Sequence, residues 1–199
     1  MKKINKGIFL LVLVIMTFCI FIYQKNISEE KEKIEITKFI KKFLEVRTEN
    51  SFIKKEDRDI NKILNKEDYK SYLENIKNNL SKYYDKSRLD YLYDCFVSRI
   101  DLQLDSYFIL NDYNEELVSI DNIYYHNGYV IVSYTKKSYV DEVVRINAVK
   151  SEKTGRYVGH IKNEQGTSNK PYNVMVLKKE NENYKILVDS SYTLPKYFY

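Results

Sequence analysis

The sequence predicts an α+β protein: an amino-terminal transmembrane helix, then about three helices packed on a curved antiparallel sheet. Three observations predict it. The chain opens on a charge-free apolar run, Gly7 to Tyr23; apolar residues then recur at helical spacing as far as Ile100; and beyond Asp105 the pattern turns to β-rich runs around an Asn-Gly pair. Helical segments gathered ahead of strand segments are the order of an α+β fold.

The opening run, "GIFLLVLVIMTFCIFIY", follows Lys2, Lys3 and Lys6. It sits at the short edge of the roughly 17 to 25 residues that span a bilayer as a helix. Signal peptidase requires small residues of the A-x-A type, yet the only alanine is Ala148 and no glycine falls between Gly7 and Gly128. An uncleaved anchor is therefore expected. A lipidated cysteine normally follows a small residue, whereas Cys19 follows Phe18, so Cys19 reads as a membrane-buried thiol. Cationic flanks stay in the cytoplasm. This places residues 1–26 as cytoplasmic leader and single-pass anchor in the cell membrane, with residues 27–199 as an extracytoplasmic domain.

Ser28, Glu29 and Glu30 have the chemistry of a helix start, because a hydroxyl caps free amides and acids suit the positive end of the helix dipole. Ile36, Phe39, Ile40, Phe43 and Leu44 then share one face, predicting a helix to about Arg47. A short helix is expected near Ile60, Ile63 and Leu64. In "NKEDYKSYLENIKNNL", Tyr69, Tyr72, Leu73, Ile76 and Leu80 form a second amphipathic stripe. Leu89, Leu92, Phe96 and Ile100 predict another helix from Arg88, handing over to extended chain near Asp101, where Ile100, Leu102 and Leu104 alternate.

Asn127-Gly128 is a strong hairpin signal, since both residues tolerate positive φ. It predicts Leu117–Tyr125 paired with Tyr129–Lys137. "SYVDEVVRINAV" reads as a third strand, and "KSEKTGRYVGHIKNEQGTSNKP", with three of the five glycines, as a long excursion. "YNVMVLKK" and "YKILVDSSY" supply the last two strands, joined around Glu180 to Asn183.

Composition narrows the functional classes. The formal net charge of +5 is concentrated at the amino end, where Lys2, Lys3, Lys6 and Lys25 meet no acid, so the remainder is close to neutral. The basic balance is thus a topology signal, and no nucleic-acid partner is expected. Cys95 is the only cysteine outside the anchor, so the exported part holds no internal disulfide. Its neighbours are apolar or acidic, the setting of a structural thiol. His126 falls in a turn, His160 in the polar excursion, and Asp189 at a strand end facing solvent. No H-E-x-x-H, C-x-x-C, G-x-S-x-G or Walker loop occurs. Catalytic, cofactor and metal residues are accordingly assigned as none.

The order of helices, the hairpin "ELVSIDNIYYHNGYVIVSYTKK" and the closing "YNVMVLKKENENYKILVDSSY", with Tyr184, Lys185 and Ile186 after its turn, resemble the nuclear transport factor two-like superfamily. The likeness covers about Ile27 to Tyr192 and is one of order and texture. It is nearest to the export-side domain that precedes an amidase domain in some Gram-positive envelope proteins, although this chain stops at Tyr199. The resemblance implies helices wrapped by a bent sheet into a cone.

Two functions follow as expectations. One is a non-catalytic interaction module that is anchored in the cytoplasmic membrane through residues 7–23 and docks an envelope protein, a wall component or a second copy; small anchored subunits of type four secretion channels resemble this layout. The other is small-molecule binding or catalysis in the cone. For the first, Val174 and Val176 alternate with Met175 and Leu177, and Ile186 and Val188 with Leu187, so both faces of the last hairpin carry apolar groups where a water-exposed face would be polar. Met175, Leu177 and Leu187 are the expected docking face.

Overall fold

A computed structural model describes residues 6–50, 66–104, 108–181 and 183–190. The fold is α+β, and the chain divides into two compact units, Met1–Lys38 and Phe39–Tyr199. Helix α1 (Lys6–Asn50) has residues in both.

In the first unit, α1 is long and apolar enough to cross a membrane, and none of that apolar stretch is buried. The Thr17 hydroxyl donates to the carbonyls of Leu13 (3.0 Å) and Val14 (2.9 Å), one turn back along the helix. The helix start expected at Ser28 is not present, because α1 runs through it. No glycine or proline lies between Phe9 and Asn50, so nothing interrupts the backbone ladder, and a serine tolerated inside a helix need not cap one.

In the second unit, α1 presents Ile40, Phe43 and Leu44 to the core. It ends at Asn50, whose side-chain amide donates to the Val46 carbonyl at 2.6 Å. The helix expected near Ile60 lies outside the described residues. Helix α2 (Lys66–Ser81) buries Ile76 and Leu80, and helix α3 (Lys86–Leu104) buries Leu92, Phe96 and Ile100. Asp85 caps α3: its carboxylate accepts from the Ser87 amide (2.8 Å) and hydroxyl (2.6 Å), and these bonds hold its pKa below the usual carboxylate value. The handover to extended chain at Asp101 is corrected. The helix continues to Leu104, and Gln103 is buried three residues after Ile100, on the helical stripe.

Four strands form one antiparallel sheet in the order β1-β2-β3-β4: β1 (Phe108–His126), β2 (Tyr129–Lys150), β3 (Tyr157–Glu180) and β4 (Asn183–Asp189). Asn127 (φ 50°) and Gly128 (φ 80°) make the predicted turn between β1 and β2. The separate third strand is the continuation of β2, and the polar excursion becomes a turn followed by the first part of β3, which runs on into the expected "YNVMVLKK" strand and pairs with β2 from Lys150↔Tyr157 to Tyr129↔Lys178. A polar sequence holds as a strand here because β2 supplies its backbone partners. The register shift between Tyr134 and Lys136 leaves Pro171 and Tyr172 (φ 61°) out of the β2–β3 pairing, where proline has no amide to donate. Buried Asn173 spans that irregularity, donating to the carbonyls of Tyr134 (3.1 Å) and Lys170 (2.5 Å).

The inward face of the sheet carries Val130, Val132, Tyr134, Met175, Leu177, Tyr184 and Ile186, all buried. Phe39 packs at a tilt against Tyr184 with ring centroids 5.7 Å apart, and Phe43 meets Tyr84 edge-on at 5.4 Å. Tyr83 to Asp85 also close the outer edge of β4, through Ile186 N–H to Tyr83 O (2.8 Å) and Asp85 N–H to Ile186 O (3.0 Å). Met175 and Leu177 therefore belong to the core, which corrects their assignment to a docking face.

Candidate functional site: a buried ion cluster and an exposed apolar row

Four charged side chains from α1, β1, β2 and β4 meet inside the second unit. Arg47 Nε lies 2.6 Å from Glu115 Oε2, Arg47 Nη1 lies 2.5 Å from Asp189 Oδ2, and Lys136 Nζ bonds Glu115 Oε1. Their side chains are at most 2% exposed. The Tyr134 hydroxyl donates to Asp189 Oδ1 at 3.3 Å, and Thr48 Oγ1 accepts from the Glu115 amide at 3.2 Å. The Arg47 guanidinium also lies over the Phe43 ring, 5.1 Å from its centroid.

Each member arrives by a local rule. Arg47 follows Ile40, Phe43 and Leu44 at i+7, the next place on the buried helical stripe. Lys136 continues the period-two series Val130, Val132, Tyr134, and Glu115 pairs opposite inward-facing Ser138 across the β1–β2 ladder. Asp189 needs a bulge. Leu177 pairs with Ile186 but Val176 pairs with Val188, so Leu187 is an extra residue in β4. Strict alternation after Tyr184 and Ile186 would turn Val188 inward and Asp189 outward. The bulge reverses this, leaving Val188 44% exposed and the Asp189 carboxylate fully buried. The solvent-facing reading of Asp189 is thereby corrected.

Burial works against ionisation of Glu115, but the adjacent Arg47 and Lys136 charges outweigh it and bring the carboxyl down to about 2. Burial and the Arg47 charge together lower Lys136 to about 8, against the pull of Glu115. Burial likewise disfavours the charged form of Arg47, yet Glu115 and Asp189 keep it protonated far above its ordinary range. Two cations thus face two anions. A general base needs a carboxylate raised toward the working pH, and Glu115 is moved the opposite way. Lys136 is moved toward neutrality, but it is 2% exposed and held by Glu115, so a carbonyl substrate has no approach to its nitrogen without opening the core. The arrangement holds the helix on the sheet; it does not resemble a reaction centre.

The other sequence candidates stay apart from this cluster. His126 and His160 are exposed, and Cys95 is half-buried with its thiol pushed up by burial, away from reactivity. No group of three or more potential metal ligands occurs among the described residues.

The outward face of the sheet offers a different feature. Tyr124 pairs with Ile131, Ile131 with Val176, and Val176 with Val188, so four apolar side chains form one row across all four strands. Tyr124 is 57% and Val188 44% exposed, while Ile131 and Val176 are half-buried. The row is bordered by His126, Tyr129 and Lys178 on one side and by Asn122, Ser133 and Val174 on the other. Leu187, the bulge residue, is half-buried. Compared with protein-family models, with curated proteins and with solved structures, the chain matches none.

Proposed function

We propose that this protein is a membrane-anchored, extracytoplasmic interaction module that docks an envelope protein or wall component without catalysing a reaction. The observation that carries this reading is the Tyr124–Ile131–Val176–Val188 row, an apolar strip on the sheet face opposite the core, extended by Tyr129 and Val174 and flanked by polar His126, Lys178, Asn122 and Ser133. Apolar centres with polar rims are the anatomy of protein interfaces. The exposed apolar part of α1 supports the anchor, and Lys2, Lys3 and Lys6 ahead of it support a cytoplasmic amino end. Helices followed by antiparallel hairpins are in keeping with a nuclear transport factor two-like cone. The mutual neutralisation of Arg47, Glu115, Lys136 and Asp189 weighs against chemistry in the interior.

The test is photocrosslinking in cells producing the full chain, with a benzophenone side chain at Val188 and, as control, at exposed Lys153 in the β2–β3 turn. A discrete adduct at Val188 that is lost on Val176→Glu, with the melting temperature unchanged within a few degrees, is the expected result. Identical patterns at the two positions would overturn the docking reading. Protease added to intact protoplasts should shorten the chain to a membrane-held stub; full protection of the carboxyl end would overturn the orientation.

A further inference from the structure

The two long edges of the sheet differ in kind. The outer edge of β1 is interrupted by register shifts at Leu110/Asp112, Leu117/Ser119 and Ile120/Asn122 and carries Asp112, Glu116 and Asp121. Bulges and charges of this sort prevent edge-to-edge pairing. The outer edge of β3 also carries charge, at Lys162, Glu164 and Lys170, but between Ile161 and Lys170 no register shift interrupts it among the described residues. On that side β4 pairs only with Met175–Glu180, and a bond from the Ser190 amide to the Val174 carbonyl ends the ladder among the described residues. From Ile161 to Lys170 β3 runs in unbroken register with β2, presenting an even row of backbone groups outward.

Two features of this stretch point to a particular occupant. Lys162 and Glu164 stand on one side of the strand, 2.6 Å apart, with Asn163 between them. Antiparallel pairing of two copies about Asn163 places Lys162 of each copy opposite Glu164 of the other, making an alternating four-charge cluster from a two-residue motif. Opposite charges in facing cross-strand positions stabilise a pair, and like charges destabilise it. Gly166 is the second feature. A Cβ there would meet nothing within 4 Å among the described residues, so their packing does not require a glycine, and close approach by another backbone is one of the uses of glycine inside a strand. The same register sets Gly166 against the larger His160 of the second copy. Among the described residues the ladder is open here, and the charge complementarity favours a second copy of this chain over an unrelated peptide.

We infer that the protein self-associates through the outer edge of β3, as a two-fold antiparallel pair centred on Asn163. An isologous contact of this kind closes after two copies. It leaves the Tyr124–Val188 row untouched, so it stands independently of the docking reading, and the two fail in different experiments.

The test uses the full chain in membrane vesicles with Cys19→Ser and Cys95→Ser removing the native thiols. Asn163→Cys treated with a short bismaleimide should give a covalent dimer, whereas Asn114→Cys on the β1 edge should give little. Lys162→Glu alone and Glu164→Lys alone should each lower the dimer yield several-fold. When differently tagged copies of these two variants are produced together, the mixed dimer should exceed either homodimer, because opposite charges face each other again at both cross-strand positions. Loss of the internal Lys162–Glu164 pair does not predict that preference. Equal cross-linking at Asn163 and Asn114, or a random distribution in the mixture, overturns the proposal.

Discussion

Arg47 Nη1 lies 2.5 Å from Asp189 Oδ2, joining the last turn of α1 to the last residue of β4 across 142 positions of sequence. The bond is buried and shares its guanidinium with Glu115. Removing one partner of a buried ion pair strands the other. Arg47→Met should therefore lower unfolding free energy by about 3–5 kcal/mol, read as a lower urea midpoint for the detergent-solubilised chain. Arg47→Lys should recover only part, because one ammonium cannot present the guanidinium fork to two carboxylates. A loss below about 1 kcal/mol, the range of an exposed pair, would show that the cluster does not hold the helix to the sheet.

Deleting Leu187 removes the bulge between Ile186 and Val188. Val188 then follows Ile186 directly, so strict alternation keeps Val188 outward and Asp189 inward against Arg47. The deletion should cost no more than Leu187→Ala, because the rest of β4 keeps its register and its faces. An unfolding midpoint far lower for the deletion than for Leu187→Ala would dismiss Leu187 as a simple inserted residue.

Glu115 has a folded-state pKa of about 2 against an ordinary 4.5. Its ionised form contributes stability that is fully present above pH 4.5 and is lost as pH falls through about 2, an effect on the order of 3 kcal/mol. Lys136 behaves differently, with a folded value of about 8 against 10.5. Between those values the unfolded chain holds the proton and the folded chain releases it, so this group makes stability rise with pH across that window. In urea midpoints measured against pH, Glu115→Gln should flatten the acid limb and Lys136→Met should remove the alkaline rise. Unchanged limbs in both variants would contradict the shifts.

Cys95 is half-buried, with its thiol pushed away from the reactive range. Cys95→Ser should cost about 1 kcal/mol or less, since a partly exposed hydroxyl keeps access to water. A fragment beginning at Ile27 should stay soluble and melt cooperatively without metal or reductant, its core coming from α1, α2, α3 and the sheet. A variant that melts normally but loses partner capture would assign the thiol a role beyond packing.

Local chemistry made several features legible in the sequence. The apolar run ahead of Tyr23, the stripe Ile40, Phe43, Leu44, the pair Ile76 and Leu80, and the Asn127–Gly128 turn each depend on residues close together in the chain, where periodicity and backbone preference act directly. Arg47 and Lys136 were also within reach, as charged residues standing at core positions of an apolar stripe and of an alternating strand.

What the tertiary structure decided depends on partners distant in sequence. The polar stretch from Tyr157 to Lys170 is a strand because β2 pairs with it; alone it lacks the apolar alternation that announces one. Val176 and Val188 face outward while Met175 and Leu177 face inward because the helices cover one side of the sheet, and the alternating sets look equally apolar until that side is known. The bulge at Leu187 then shifts the phase by one residue and sends Asp189 to Arg47. A strand has period two, so a single inserted residue exchanges its faces, and the register against β3 is where that insertion is defined.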